Sequence, residues 1–365
     1  MISFKFGISH KSCLGIDIGT SAIKVVELSS HGERVELKKY GEISLETVRK
    51  YSFRDFEKTT TLFSPKDIAK LISSILKETK ITERKVIFSI PDFSSFFTSF
   101  QIPQMTKEEI NQAVRYEARH HIPLPLAEVT LDWSIIEGKM GEKESPLKIL
   151  LVAVPNDIIN QYQQTATLAN LKLIALETEV FGLLRSLIKK DDKDSTVILD
   201  IGGRSTTINI VDNGKLLSSH SFDIAGNEFT HVLAKSLEVD SEKAENLKRK
   251  YGLKTPDQEE KTASMITSRV RDIIVPLVDL IALELEKISI NFFQAQKKEL
   301  KKIILAGGSA LLPGLKEYFQ KTSKAQVEIA NPFSNIIFPP ILEKVLKHMG
   351  PSYAIAIGMA LRGLE

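Results

Sequence analysis

Two short stretches of the chain share one pattern of apolar and polar positions. Leu14-Gly15-Ile16 runs into Asp17-Ile18-Gly19-Thr20, and Val197-Ile198-Leu199 runs into Asp200-Ile201-Gly202-Gly203. After each, β-branched and apolar residues resume, over Ile23 to Leu28 and over Thr206 to Val211. Each run then closes in a turn signal, Ser30-His31-Gly32 or Asp212-Asn213-Gly214. Such runs ending in Asn-Gly-like dipeptides read as strands entering hairpins. Each unit is predicted as strand, acidic glycine turn, strand, hairpin. Its recurrence points to a duplicated architecture that holds its ligand between the halves.

Elsewhere the period changes. Ile68, Leu71, Ile72, Ile75 and Leu76 fall on one face of a predicted helix from Ser64 to Thr79, with Ser64 as cap and Pro65 in the first turn. From Lys85 the pattern is strand-like (KVIFSIP, FFTSFQIP). A helix follows from Thr106, boxed by Glu109 and stopped at Ile122-Pro123. Strands are predicted at Val129 to Ile136 and Leu147 to Val154, then a helix from Asn156. This β-rich block, 86–165, reads as an insertion in the first half. The second half adds helices at Glu228 to Leu237 and Ser241 to Tyr251, a loop from Thr255 to Ser264, and a long helix to Gln296. A strand at Lys302 to Leu305 runs into Ala306-Gly307-Gly308-Ser309 and a helix beginning near Leu311-Pro313; an apolar helix, Tyr353 to Leu361, ends the chain.

Bulk properties narrow the class. At 365 residues, two domains are expected. A hydrophobic share of 42% with 26% charged residues is ordinary globular composition. The net charge of +3 is too balanced to indicate a nucleic-acid or membrane-surface binder. Cys13 is the only cysteine, which excludes an internal disulfide and a cysteine-based metal cage and suits a reducing compartment. The first fifteen residues lack a signal-peptide core, and the apolar run Ile273 to Ile290 is broken by Asp279, Glu284, Glu286 and Lys287, so neither export nor a membrane span is expected.

A tight glycine turn between strands presents backbone N–H groups to a phosphate, because glycine tolerates positive φ and leaves room for close approach. Gly19, with the hydroxyls of Thr20 and Ser21, and Gly202 with Gly203 are the candidates, and Lys24 could pair with phosphate oxygens. Asp17 and Asp200 face phosphate comfortably only with Mg²⁺ or its waters between. Gly307-Gly308 after a strand and before a helix suits a third nucleotide loop. Taken singly, each of these is equally an ordinary hairpin or strand-to-helix turn. His120 and His121 diverge on a helix and make a poor metal pair; Phe93, Phe96, Phe97 and Phe100 read as strand packing, and Lys189 to Asp194 as a solvated turn.

The order of these motifs resembles that of actin-like ATPases: two phosphate loops, a connecting segment and an adenosine loop, over essentially the whole chain. The fold implied is α/β, with duplicated ribonuclease-H-like domains and a nucleotide cleft between them. Subdomains would span 14–85 with 166–195, 86–165 as the insert, 196–225 with 300–365, and 226–299. The connecting segment would be Leu176-Glu177-Thr178-Glu179, which by this resemblance puts Glu177 near Mg²⁺-bound water as the catalytic carboxylate, with Glu179 second. Ala244-Glu245-Asn246-Leu247-Lys248 is similar to the A-E-x-[IL]-K helix of FtsA and MreB, where Glu and Lys approach the nucleoside. Glu245 and Lys248, three apart, share a helix face, as a solvent ion pair would too. Family versions often carry Pro at Thr178 and a small residue at Arg204, so at most weak hydrolysis is expected.

Within this superfold three segments resemble the type IV pilus assembly family PilM: LGIDIGTSAIKVVEL from Leu14, MTKEEINQAVRYEARHHIPLPLAEVTLD from Met105, and YAIAIGMALR from Tyr353. The resemblance implies an ATP- and Mg²⁺-binding cytoplasmic component of the pilus inner-membrane complex. It would be recruited by the cytoplasmic tail of a PilN-like membrane protein, in a groove where the insert joins the first half. It implies no nucleic-acid partner and no membrane insertion, and leaves self-association open. An FtsA-like division filament is the main alternative, although FtsA usually continues into an amphipathic membrane helix. A small-molecule kinase is the third, with Asp92 or Asp132 as base by residue type.

Overall fold

The computed structural model describes residues 11–45, 64–141, 145–189, 191–255 and 261–365. Parts of the polar loop at 137–146, the turn at 189–194 and the loop at 255–264 lie outside the described residues.

The first half opens on β1 (Ser12–Ile18), β2 (Ala22–His31) and β3 (Arg34–Ser44), an antiparallel meander turned at Gly32. Helix α1 (Pro65–Glu78) follows; Ser64 Oγ accepts the Asp67 N–H, as the sequence predicts, and the apolar stripe from Ile68 to Leu76 is buried. β4 (Lys85–Ile90) then lies parallel beside β1.

A small three-stranded sheet interrupts this half: β5 (Phe96–Ile102), helix α2 (Lys107–His121), β6 (Val129–Glu137) and β7 (Leu147–Pro155), in the order β5-β7-β6. Thr106 and Glu109 form the reciprocal capping box on α2. Phe96 and Phe100 pack into the insert's own core, Phe97 against the neighbouring core, and the two histidines part: His121 stacks on Phe100 and His120 edges onto Tyr116. The chain returns through α3 (Asn156–Leu168), β8 (Lys172–Thr178) and α4 (Glu179–Leu187), with β8 parallel to β4. Of the interval 86–165, then, β4 pairs in the larger sheet and α3 packs in the core of the first half, and only the stretch between them builds the small sheet.

The second half repeats the meander with β9 (Thr196–Ile201), β10 (Thr206–Asp212) and β11 (Lys215–Phe222). Asn213 at φ 51° and Gly214 at φ 70° supply the two left-handed residues that the hairpin turn requires. Helices α5 (Gly226–Leu237), α6 (Ser241–Tyr251) and α7 (Lys261–Gln296) precede β12 (Lys302–Ala306), which lies parallel to β9, then α8 (Leu315–Thr322) and β13 (Gln326–Ile329). The helix expected from Leu311 starts at Leu315, after a longer turn through Gly314.

The chain then crosses back. β14 (Ile336–Ile337) adds to the edge of the first sheet, giving β14-β3-β2-β1-β4-β8 against β11-β10-β9-β12-β13. Helix α9 (Glu343–Leu364) packs on that first sheet. Small residues make this fit: a Cβ on Gly15 would overlap the Ala356 carbonyl, and one on Gly358 would overlap Gly182 of α4. Although 300–365 is one stretch of sequence, its last part completes the first half. Among the described residues, no helix is long and apolar enough to cross a membrane.

Candidate functional site

Three parallel neighbours, β1, β4 and β8, each deliver a carboxylate at the carboxyl end of the strand, the end where ligands collect on parallel α/β sheets. β1 ends in Asp17-Ile18, β4 is followed by Pro91-Asp92, and β8 by Glu179. Asp17 is buried; its Oδ1 accepts from Ser89 Oγ at 2.8 Å, and Lys24 Nζ lies 3.9 Å from Oδ2. Burial raises the Asp17 pKa, with Lys24 and Ser89 working against it. Asp92 is tied to the start of α4 by two bonds. Asp92 N–H donates to Glu179 Oε2 at 3.1 Å, and Asp92 Oδ1 accepts the Val180 N–H at 3.2 Å. Asp92 thus caps α4, where Thr178 occupies the cap position without a side-chain bond. Burial pushes Asp92 up to about 8, Asp200 adding to it, and holds Glu179 well above the usual carboxylate range, with Asp92, Asp17 and Asp200 reinforcing it.

From the other half, β9 brings Asp200. The two acidic turns are built alike: Gly19 N–H donates to the Ala22 carbonyl at 3.1 Å, and Gly202 N–H to the Ser205 carbonyl at 3.0 Å. They also face each other, since a Cβ on Gly203 would overlap Ser21 Oγ and lie 3.1 Å from Thr20 Oγ1. Gly307, just past β12, stands at φ +87°; a Cβ there would overlap Asp200 Oδ1. Around Gly308 the corresponding space is open. Ser309 ties the third turn to the second, its N–H donating to the Ile201 carbonyl at 3.0 Å and its Oγ to the Gly202 carbonyl at 3.2 Å. Asp200 Oδ1 is buried with no hydrogen-bond partner, and burial, then Asp17, pushes the group up to about 7 against the pull of Lys24.

Glu245 and Lys248 share a face of α6, as their spacing predicts. Lys248 Nζ lies 2.6 Å from Glu245 Oε2 and donates to the Gly226 carbonyl at 2.9 Å. Thr230 Oγ1 donates to Glu245 at 2.5 Å. Gly226 N–H in turn donates to the Gly202 carbonyl at 3.1 Å, so the pair adjoins the second turn through α5. Lys248 is buried and Glu245 half-buried, so this is not a loose surface pair.

Glu177 does not join this group. On a strand, successive side chains take opposite faces, and that of Glu177 goes to the face covered by α4 and α9. There Arg185 grips it twice, at 2.6 and 3.0 Å, with Arg362 at 3.9 Å. The carboxylate near the acidic turns is Glu179, ranked second from the sequence. Of the two acids named by type for a kinase, Asp92 joins the cluster and Asp132 sits on β6 in the insert. Asp92 was legible in part: an acid directly after an apolar strand and a proline is what a strand-end site requires.

Asp17 and Asp200, carried by the two facing turns, would meet a polyphosphate only with a cation between. Among the described residues no group of three His, Cys, Asp or Glu is arranged to hold a metal ion. The orphaned Asp200 Oδ1 and the close approach of the two glycine turns fit an Mg²⁺-nucleotide.

The model of the family described as type IV pilus assembly protein PilM matches residues 15–364. A solved PilM–PilN type IV pilus biogenesis complex is similar at 26% identity and TM-score 0.80, over 98% of this chain and 100% of that one. MreB5 of Spiroplasma citri bound to ADP shares the fold at 15% identity and TM-score 0.52, over 97% of this chain and 96% of that one. Cell division protein FtsA of Bacillus subtilis is 21% identical over 357 residues, 87% of this chain and 78% of the relative.

Proposed function

The chain belongs to the PilM family of type IV pilus assembly proteins, and we propose that it is an ATP-binding assembly protein that docks the cytoplasmic tail of a PilN-like membrane protein. The observation that carries this reading is the end-to-end likeness to the PilM–PilN complex. Such a protein works in the cytoplasm and reaches the inner membrane through its partner.

The residues divide the work of holding Mg²⁺-ATP. Gly19, Gly202, Gly203, Gly307 and Gly308 offer backbone room, Thr20 and Ser21 offer hydroxyls, and Lys24 offers charge. Asp17 and Asp200 take the ion through water, and Glu245 with Lys248 face the nucleoside. Glu179, rather than Glu177, is the carboxylate poised to orient water. Bound Mg²⁺-ATP supplies a bridge of charge between halves that otherwise confront each other with carboxylates. The tail docks as an extended segment where β5, β6 and β7 meet the first half.

Two measurements test this. Saturating Mg²⁺-ATP should stabilise the protein, by roughly 2.7 kcal/mol at 100 times the dissociation constant; an unchanged melting temperature removes the nucleotide. A labelled PilN-like tail should bind the full chain and fail on a variant with charge reversals along the insert; no binding to the wild type removes the partner. The FtsA likeness favours a filament as second reading, and sedimentation with Mg²⁺-ATP decides it.

A further inference from the structure

The four carboxylates Asp17, Asp92, Glu179 and Asp200 leave this site short of positive charge for a polyphosphate. Lys24 stands 3.9 Å from Asp17, Lys248 is engaged with Glu245 and Gly226, and Arg185 with Glu177. One further cation stands at the turns. Arg204 directly follows Gly203, the residue that confronts Ser21 and Thr20 of the first turn. Among the described residues Arg204 forms no salt bridge. Its Cζ sits over the ring of Phe93, 4.8 Å from the centroid.

That contact crosses between the halves. Phe93 lies on the single helical turn Asp92–Ser94, whose Asp92 caps α4 and bonds Glu179. Stacking uses the face of a guanidinium and leaves its in-plane N–H donors available, so a stacked arginine retains its fork for phosphate oxygens. An exposed arginine otherwise loses much rotamer freedom on binding; one already stacked loses less.

We propose that Arg204 is the terminal-phosphate contact of this site and that Phe93 is its positioning residue. The proposal rests on the nucleotide reading above. It assigns a role to the residue by which the second turn departs from the small side chain expected there. The four-carboxylate surroundings make that role one of discrimination: a cation beside the terminal phosphate favours ATP over ADP, whereas the glycine turns serve both.

Calorimetric titration of the full chain with Mg²⁺-ATP and, separately, Mg²⁺-ADP tests it, on wild type, Arg204→Gln, Arg204→Lys, Phe93→Leu and Phe93→Trp. Arg204→Gln should weaken ATP by about tenfold, the size of one charge-assisted hydrogen bond, and ADP by less than about twofold. Phe93→Leu should lower the ATP-to-ADP preference in the same direction by a smaller factor. Phe93→Trp, which keeps an aromatic face, should restore it, and Arg204→Lys, which keeps charge without the fork, should fall between. Equal weakening of both nucleotides, or an unchanged ratio, in Arg204→Gln overturns the phosphate assignment. An unchanged ratio in Phe93→Leu overturns the positioning role. Wild type that binds neither nucleotide overturns the underlying reading and this inference with it, an outcome distinct from a changed or unchanged ratio.

Discussion

The two acidic turns share a backbone and differ in what surrounds their aspartates. In the first, Asp17 accepts from Ser89 and has Lys24 beside it. In the second, Asp200 keeps one oxygen without a partner, and Gly307 is pressed against it. Duplication therefore preserved a turn closed by its own glycine N–H and set the two turns face to face, while the chemistry diverged: one aspartate is largely satisfied by the protein, the other keeps an oxygen for a ligand. A buried, unsatisfied carboxylate is costly, and its persistence beside a glycine at positive φ marks the second turn as the one that depends on a ligand.

The largest break in this comparison comes from the glycines. Gly307→Ala puts a methyl group at φ +87° against Asp200 and the Ile201 carbonyl. It should cost about 3 kcal/mol in urea unfolding. Gly19→Ala, whose Cβ would sit 3.2 Å from the Ala22 carbonyl, should cost about 1 kcal/mol. Equal costs would mean that Asp200 is enclosed no more tightly than Asp17.

Next in size is the segment joining the turns. Glu177→Gln strips charge from a buried bidentate pair with Arg185 and should cost about 2 kcal/mol, with nucleotide affinity unchanged. Glu179→Gln should leave stability within about 0.5 kcal/mol and lower any ATP turnover. Reversed outcomes would return the catalytic assignment to Glu177.

Asp200→Asn should stabilise the ligand-free protein at pH 8 by about 1 kcal/mol and weaken Mg²⁺-dependent binding. Asp17→Asn should do the first to a smaller extent, because Lys24 and Ser89 offset its burial. Urea titrations in chelator separate the two.

The smallest effect is in pH. Asp92 and Asp200 have folded-state pKa values raised to about 8 and about 7, above the unfolded value near 4. The folded state then holds more protons between those limits. Its stability contribution is full below about pH 4 and is lost as pH rises through 7 to 8. Ligand-free melting temperature should therefore fall from pH 5 to pH 8, and a double Asp92→Asn, Asp200→Asn variant should flatten that slope.

Much of this site was legible before any tertiary contact was known. The sequence pairs the two acidic turns and sets Glu245 beside Lys248, and in the structure the turns meet, Gly307 abuts Asp200 and Lys248 bonds Glu245; their hold on a nucleotide is the proposal. Glu177 and Glu179 look alike in sequence on either side of Thr178; the strand ends between them, which leaves Glu177 on β8 against Arg185 and starts α4 with Glu179 beside Asp92. The last helix was assigned with its sequence neighbours, yet Gly15, Gly182 and Gly358 draw it onto the first sheet.

What the sequence determined by itself is local. Ser64 and the Thr106–Glu109 box start their helices, Asn213-Gly214 turns its hairpin, and the repeated acidic turn announces two related halves; each acts through neighbours a few residues away. The tertiary structure decided which carboxylates meet. Parallel strands distant in sequence set Asp17, Asp92 and Glu179 side by side, and closure of the halves brought Asp200 and Arg204 opposite them. No local period encodes that arrangement, because it arises from strand order and register, which are settled by burial of the sheet faces against α1, α3 and α9.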